Sequence, residues 1–182
     1  MGNKTLDLGK VSVRPFGDET QSRNFRCGER NVDKFLRDKA AKSVDRHEYR
    51  VFCAHIVDDP EVIGYYTLQV GADKTSDLPK VRRRSYLGKY QAFPAIYMGW
   101  LGVRSDYQGQ GLGKYLLMDV FQKVAEVSKY VGLYALTLRS LNEVTTRFYE
   151  SLGFWSYSTE AKQPKMLYPI QDIIYLVNRT DI

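Results

Sequence analysis

The sequence predicts a single α/β domain with a mixed central β-sheet flanked by helices. Three observations carry that prediction. Short runs dense in β-branched and aromatic residues alternate with runs of helical periodicity. The chain of 182 residues has the size of one domain, so 1–182 is read as one folded unit. A content of 43% hydrophobic and 26% charged residues is a globular balance that can fill one core.

The elements follow in order. VSVRPF, residues 11–16, reads as a first strand. NVDKFLRDKAAKSVDR then sets Val32, Phe35, Leu36, Ala40 and Val44 on one helical face, with Asn31 as N-cap and Asp33 in the first turn. Its other face shows Lys34, Arg37, Lys42 and Arg46, a solvated or binding surface. RVFCAHIV and EVIGYYTLQV, parted by Asp58-Asp59-Pro60, make an antiparallel hairpin. Pro94 introduces the strand AIYMGWLGV. A glycine-rich turn leads into a helix over about 113–128, whose stripe is Leu112, Leu116, Leu117, Val120, Phe121 and Val124. Gly132 is expected to terminate it, and LYALTL supplies the next strand. A short helix from Asn142 to Leu152 is closed by Gly153. FWSYS and KMLYPI read as the last strands. The tail QDIIYLVNRT carries apolar residues that belong on the chain's own core or on a partner.

Composition narrows the function classes. No run approaches the 18 or so apolar residues of a membrane span, and MGNKTLDLGK has no apolar core of a secretory signal. Cytoplasm and no membrane partner are the expectation. Cys27 and Cys53 read as reduced and structural. His47 and His55 are the two histidines, and no metal-ligand spacing accompanies them, so no metal is expected. The net charge of +6 favours an anionic partner. Much of it is local: KVRRRSYLGK, residues 80–89, holds Arg82, Arg83, Arg84 and Lys89 without an acid, as a solvated loop or a phosphate-binding strip.

SDYQGQGLGKYLL, residues 105–117, is the strongest local signal. Glycine inside a helix costs roughly 0.5–1 kcal/mol relative to alanine, so three alternate glycines at a helix start need a reason. Exposed N–H groups facing a phosphate supply one. A Walker A loop would require glycine where Gln108 stands and Ser or Thr where Tyr115 stands. A dinucleotide fingerprint would require glycine at Lys114. The pattern Gln/Arg-x-x-Gly-x-Gly/Ala is met by Gln108, Gly111 and Gly113. It resembles the acyl-CoA site of the GCN5-related N-acetyltransferases, the GNAT superfamily. Downstream, NEVTTRFYESLGF resembles the family's second motif, an asparagine followed by Phe-Tyr-x-x-x-Gly-Phe.

That resemblance implies a GNAT-type domain whose strands splay apart at the acyl-CoA site. It implies acetyl-CoA as cosubstrate, its diphosphate held by Gln108, Gly109, Gln110, Gly111, Leu112, Gly113 and Lys114, with a contact from Asn142. Pantetheine would pair with the strand Leu101, Gly102 and Val103, and Tyr149 would protonate the departing thiolate. Transfer would be direct, without a covalent enzyme intermediate.

FRCGERNVDKFLRDKA, VIGYYTL and VGLYALTL extend the similarity to one GNAT subgroup over about residues 25–170. Those are toxins of bacterial toxin–antitoxin pairs that acetylate the α-amine of aminoacyl-tRNA and stop translation. The resemblance implies aminoacyl-tRNA as acceptor, a ribbon-helix-helix antitoxin as partner, a homodimer as an oligomeric option, and tRNA contacts from Arg82, Arg83, Arg84 and Lys89. The subgroup often carries Arg-Leu-Ala-Val-Asp where this chain has Trp100-Leu101-Gly102-Val103-Arg104. Two alternatives stay open: a stand-alone acetyltransferase for a small-molecule or protein amine, and a non-catalytic acyl-CoA-binding module.

Overall fold

The structure, a computed structural model, describes residues 5–79, 89–157 and 163–180. Its strands are β1 (Val11–Pro15), β2 (Arg50–Ile56), β3 (Gly64–Lys74), β4 (Ala92–Val103), β5 (Ala135–Arg139), β6 (Trp155–Ser156) and β7 (Lys165–Pro169). They form one seven-stranded mixed sheet in the order β1-β2-β3-β4-β5-β7-β6. The helices are α1 (Arg30–Lys34), α2 (Ala40–Asp45), α3 (Leu112–Val127), α4 (Glu143–Ser151) and α5 (Ile170–Thr180). The expected α/β class with a mixed sheet is what the chain adopts.

The chain divides into two compact units, Met1–Gln69 with Gly99–Val120, and Val70–Met98 with Phe121–Ile182. In the first, β1 and β3 each pair antiparallel with β2, the hairpin register running from Arg50↔Leu68 to Ala54↔Gly64. Phe25, Phe35, Leu36, Val51 and Tyr65 form its core, with Phe25 edge-on to Tyr65 at 5.4 Å. In the second, β5 pairs parallel with β4 over Ala95–Met98 and antiparallel with β7. Phe93, Tyr134, Ala135, Tyr157 and Leu167 form its core.

Several boundaries differ from the sequence reading: Pro94 lies inside β4, which begins at Ala92, β3 runs on to Lys74, and the helices differ as follows. The first helix is α1 and α2 joined by a π turn at Phe35–Lys39, which shifts the apolar face by one residue while Val32, Phe35, Leu36 and Ala40 stay buried. Its N-cap is Glu29, without a side-chain cap bond; Asn31 lies inside the helix. Asp33 does more than favour the helix dipole, because its carboxylate accepts from the Cys27 N–H at 2.7 Å. Helix α3 begins at Leu112 and stops at Val127, five residues short of Gly132, closing through turns from Lys129 N–H to Glu126 and Tyr130 N–H to Val127. Its expected stripe is buried from Leu112 to Val124. The tail forms α5, which buries Ile173 while Ile174 and Tyr175 stay exposed.

Candidate functional site

The ladder between β4 and β5 ends at Met98↔Leu138, in the second unit, and β4 continues through Gly99–Val103, which belong to the first. Leu101 and Val103, expected to pair with pantetheine, lie on this extension. A Cβ on Gly102 would come within 2.8 Å of Val32 Cγ1 and 3.2 Å of the Phe25 ring, so this glycine also lets the strand lie against the unit's core. Trp100 stacks on Phe35 with ring centroids 5.1 Å apart.

Beyond Val103 the chain turns sharply. The Arg104 N–H donates to Ile63 O at 2.8 Å, and Ser105–Tyr107 form one 3-10 turn. Gly109 and Gly111 then adopt φ of 73° and 87°, the left-handed region where a Cβ is strained. Nothing lies within 4 Å of a Cβ built on Gly109, so backbone conformation, not crowding, selects glycine there. Gly113 falls inside α3, without positive φ. Leu112 is buried and anchors the first turn of α3, whose leading N–H groups have no intrahelical partners. Lys114 is exposed beside them.

The two glutamines shape the turn from within. Gln108 Nε2 donates to Cys27 O at 2.7 Å and Val103 O at 2.9 Å. Gln110 Nε2 donates to Asp106 O at 3.2 Å, and its Oε1 accepts from the Leu6 N–H at 2.7 Å. Thus Leu101 to Val103 and Gln108 to Lys114 are one continuous strand–turn–helix path. Two left-handed glycines leading into the positive end of a 16-residue helix suit an anion such as a diphosphate.

In the second unit, α4 places Asn142 and Tyr149. Asn142 is the N-cap: its Oδ1 accepts from the Thr145 N–H at 3.0 Å, and Thr145 Oγ1 accepts from the Asn142 N–H at 3.0 Å. This residue therefore holds the helix start, a role that the motif alone did not reveal. At the other end, Gly153 takes φ of 98° and the Phe154 N–H returns to Tyr149 O at 3.1 Å, the closure expected of Gly153. Between the caps, Tyr149 is buried, its ring edge-on to Phe148 at 5.2 Å and Phe154 at 5.4 Å. Burial, and then the nearby Tyr97, push its phenol well above the ordinary tyrosine range. Among the described residues its hydroxyl has no hydrogen-bond partner, so a protonated O–H stands without an internal acceptor.

Lys89 is exposed, whereas Arg82, Arg83 and Arg84 lie outside the described residues. The cysteines are free, and both thiols are pushed up to about 12: Cys27 by burial and then Asp33, Cys53 by burial. Neither is a ready nucleophile. His55 is buried in β2, and burial, then Arg14, keeps its imidazole below the usual range and neutral. No described helix is long and apolar enough to cross a membrane.

The model of the acetyltransferase (GNAT) family matches residues 17–154. The chain belongs to the GNAT acetyltransferase family. The match takes in both the glycine turn and the tyrosine of α4, and it makes the chain an acetyl-CoA-dependent acyltransferase. Among its GNAT relatives is the "tRNA-acetylating toxin" of Mycobacterium tuberculosis, 28% identical over 146 residues, 80% of this chain and 85% of that protein. A crystal structure of a tyrosine-to-phenylalanine mutant of KacT superposes with a TM-score of 0.85 at 29% identity, covering 92% of this chain and 99% of that one. AtaT complexed with acetyl-methionyl-tRNAfMet gives a TM-score of 0.81 at 26% identity, covering 91% and 98%.

One buried charge beside the turn gave no signal in the sequence. Arg104 is buried, and its guanidinium pairs with both Glu61 and Asp106 at 2.8 Å. Burial opposes its charge, but the hydrogen bonds to Asp106 and Glu61 outweigh that and hold the guanidinium above its ordinary range. Asp106 lies two positions away, whereas Glu61 is remote in sequence and gives no local signal.

Proposed function

We propose that this acetyltransferase transfers the acetyl group of acetyl-CoA to the α-amine of an aminoacyl-tRNA, as the toxin of a toxin–antitoxin pair acting in the cytoplasm. The observation that carries the reading is the likeness, over nine-tenths of the chain, to AtaT in complex with acetyl-methionyl-tRNAfMet. The backbone donors of Gly109 to Gly113, with Lys114, hold the diphosphate. The free length of β4 at Leu101 and Val103 pairs with pantetheine as an added strand, and a backbone N–H there polarises the thioester carbonyl. The acceptor nitrogen attacks that carbonyl, the N–C bond forms, and the C–S bond breaks. Tyr149 gives its phenolic proton to the sulfur, and the proton lost by the amine restores it. Asn142 acts on this arrangement through the start of α4.

An α-amine, with a pKa of about 7.7–8.0, is substantially neutral near pH 7, so transfer needs no strong base. Basic side chains, Lys89 and the segment holding Arg82, Arg83 and Arg84 among them, meet the RNA backbone. A ribbon-helix-helix antitoxin is the partner that silences the enzyme, and a homodimer is the assembly in which we expect it to work.

Inducible expression of the wild type beside Tyr149→Phe tests the reading. Growth arrest with N-acetylated aminoacyl-tRNA is expected for the wild type alone. Unimpaired growth with both proteins, and no acetylated tRNA, contradicts it and favours a small-molecule or protein amine as acceptor.

A further inference from the structure

We propose that Arg104 is a positioning residue for the acetyl-CoA diphosphate, acting through the turn that follows it. The inference rests on the acetyl-CoA reading of that turn and adds to it a residue outside the glycine motif.

Each of the three guanidinium nitrogens donates to a carboxylate. Nε and Nη2 donate to the two carboxylate oxygens of Asp106 at 2.8 and 3.0 Å, and Nη1 donates to Glu61 Oε2 at 2.8 Å. Its carbon sits 4.9 Å from the centroid of the Tyr107 ring, and the residue is only 8% exposed. Glu61 is itself steadied, since its Oε1 accepts from Asn24 Nδ2 at 2.9 Å. The fork to Asp106 holds the 3-10 turn, and the bond to Glu61 ties it to the segment before β3.

From Asp106 the constraint passes along the chain. Asp106 O accepts from Gln110 Nε2, and Gln110 Oε1 accepts from the Leu6 N–H. Between these points Gln108 is tied to Cys27 O and Val103 O. The turn is thus pinned at 104, 106, 108 and 110, and its two left-handed glycines, 109 and 111, lie among the pins. Donors already in place spare the ligand the entropy of ordering them, so a loosened turn loses affinity without losing a contact group.

Arg104 is not itself the phosphate ligand. Its charge is matched by two carboxylates, and the three-residue cluster carries net negative charge. Removing the guanidinium would take away the positive charge that Glu61 and Asp106 share, which opposes binding of a diphosphate as well as freeing the turn. Lysine could reach one carboxylate but cannot reproduce the fork.

The test compares two acetyl donors on the full-length protein: acetyl-CoA by calorimetry, and S-acetylpantetheine, which lacks the diphosphate, by ligand-observed NMR. Arg104→Met is expected to raise the acetyl-CoA Kd at least tenfold and leave S-acetylpantetheine within twofold, with Arg104→Lys between wild type and Met. A folded Arg104→Met that binds acetyl-CoA like the wild type, or weakens both donors equally, overturns the inference. Should Arg104→Met fail to fold, Arg104→Lys decides: a rise of threefold or more confined to acetyl-CoA supports it, and no rise or an equal rise for both donors overturns it. A wild type that binds no acetyl-CoA overturns the underlying reading of the turn, an outcome separate from the variant results.

Discussion

In the proposed reaction, the glycine turn of the first unit and the tyrosine helix of the second divide the work of backbone and side chain in opposite ways. In the turn, side chains are scaffold: Arg104, Gln108 and Gln110 are engaged with other parts of the chain, and the proposed diphosphate donors are backbone N–H groups. In α4 the backbone is closed at both ends by the Asn142–Thr145 box and by Gly153, and one side-chain hydroxyl is left to act. Binding a diphosphate calls for several weak, diffuse donors fixed in a curve. Protonating a sulfur calls for one polar atom in a desolvated setting. The sequence signals follow suit: small residues mark the first task, and a lone tyrosine among aromatics marks the second.

Breaking the side-chain half of this contrast should give the largest effect. Tyr149→Phe keeps the ring contacts with Phe148 and Phe154 and removes the hydroxyl. Thiol release should fall about 100-fold or more in kcat, as for loss of a general acid, while the KM for acetyl-CoA stays within about twofold. Gly111→Ala attacks the backbone half. At φ of 87° an L side chain costs about 1–2 kcal/mol, so the acetyl-CoA KM should rise roughly 5–30-fold with kcat little changed. If each variant moved the other parameter instead, the division of labour would be wrong.

The same contrast extends to conditions. Salt screens an RNA backbone broadly, so raising it from about 50 to 200 mM should raise the KM for aminoacyl-tRNA roughly tenfold and that for acetyl-CoA far less. Burial raises the Tyr149 pKa, so the acid form persists at pH values where an ordinary phenol begins to ionise. The kcat/KM should therefore climb as the acceptor amine deprotonates near pH 7.7–8.0, and initial rates should show no falling limb up to about pH 10. The smallest effect is expected from Asn142→Ala. Losing the cap should cost about 1 kcal/mol and lower the Tm by about 2–4 °C in calorimetry. The acetyl-CoA KM should then move less than with Gly111→Ala.

Much of the fold was legible because periodicity reports directly on burial. The α3 stripe from Leu112 to Val124 and the β2–β3 hairpin follow from the spacing of apolar residues. Ends were less legible. Gly153 and Gly132 look alike in sequence, yet only Gly153 has positive φ, because α3 closes five residues before Gly132. Asn31 looks like a cap, but Glu29 holds that position and Asn31 lies within the helix. In the site, Gln108, Gly109 and Gly111 were readable, since a left-handed turn before an apolar helix has a compositional signature. Arg104 was not, since its pairing depends on Glu61, in the segment before β3, where the Arg104 N–H also meets Ile63 O. Asn142 was found for its motif, but its cap bond with Thr145 belongs to a helix boundary that spacing fixes only loosely.

The central claim is the nature of the acceptor, and a competition decides it most directly. Purified wild-type protein is given labelled acetyl-CoA with charged tRNA, uncharged tRNA, polyamines and a lysine-rich protein together. The account predicts that label enters the charged tRNA and leaves with the amino acid as its N-acetyl derivative on mild alkaline hydrolysis. Label on the polyamines or the protein, with charged tRNA unmodified, would contradict it.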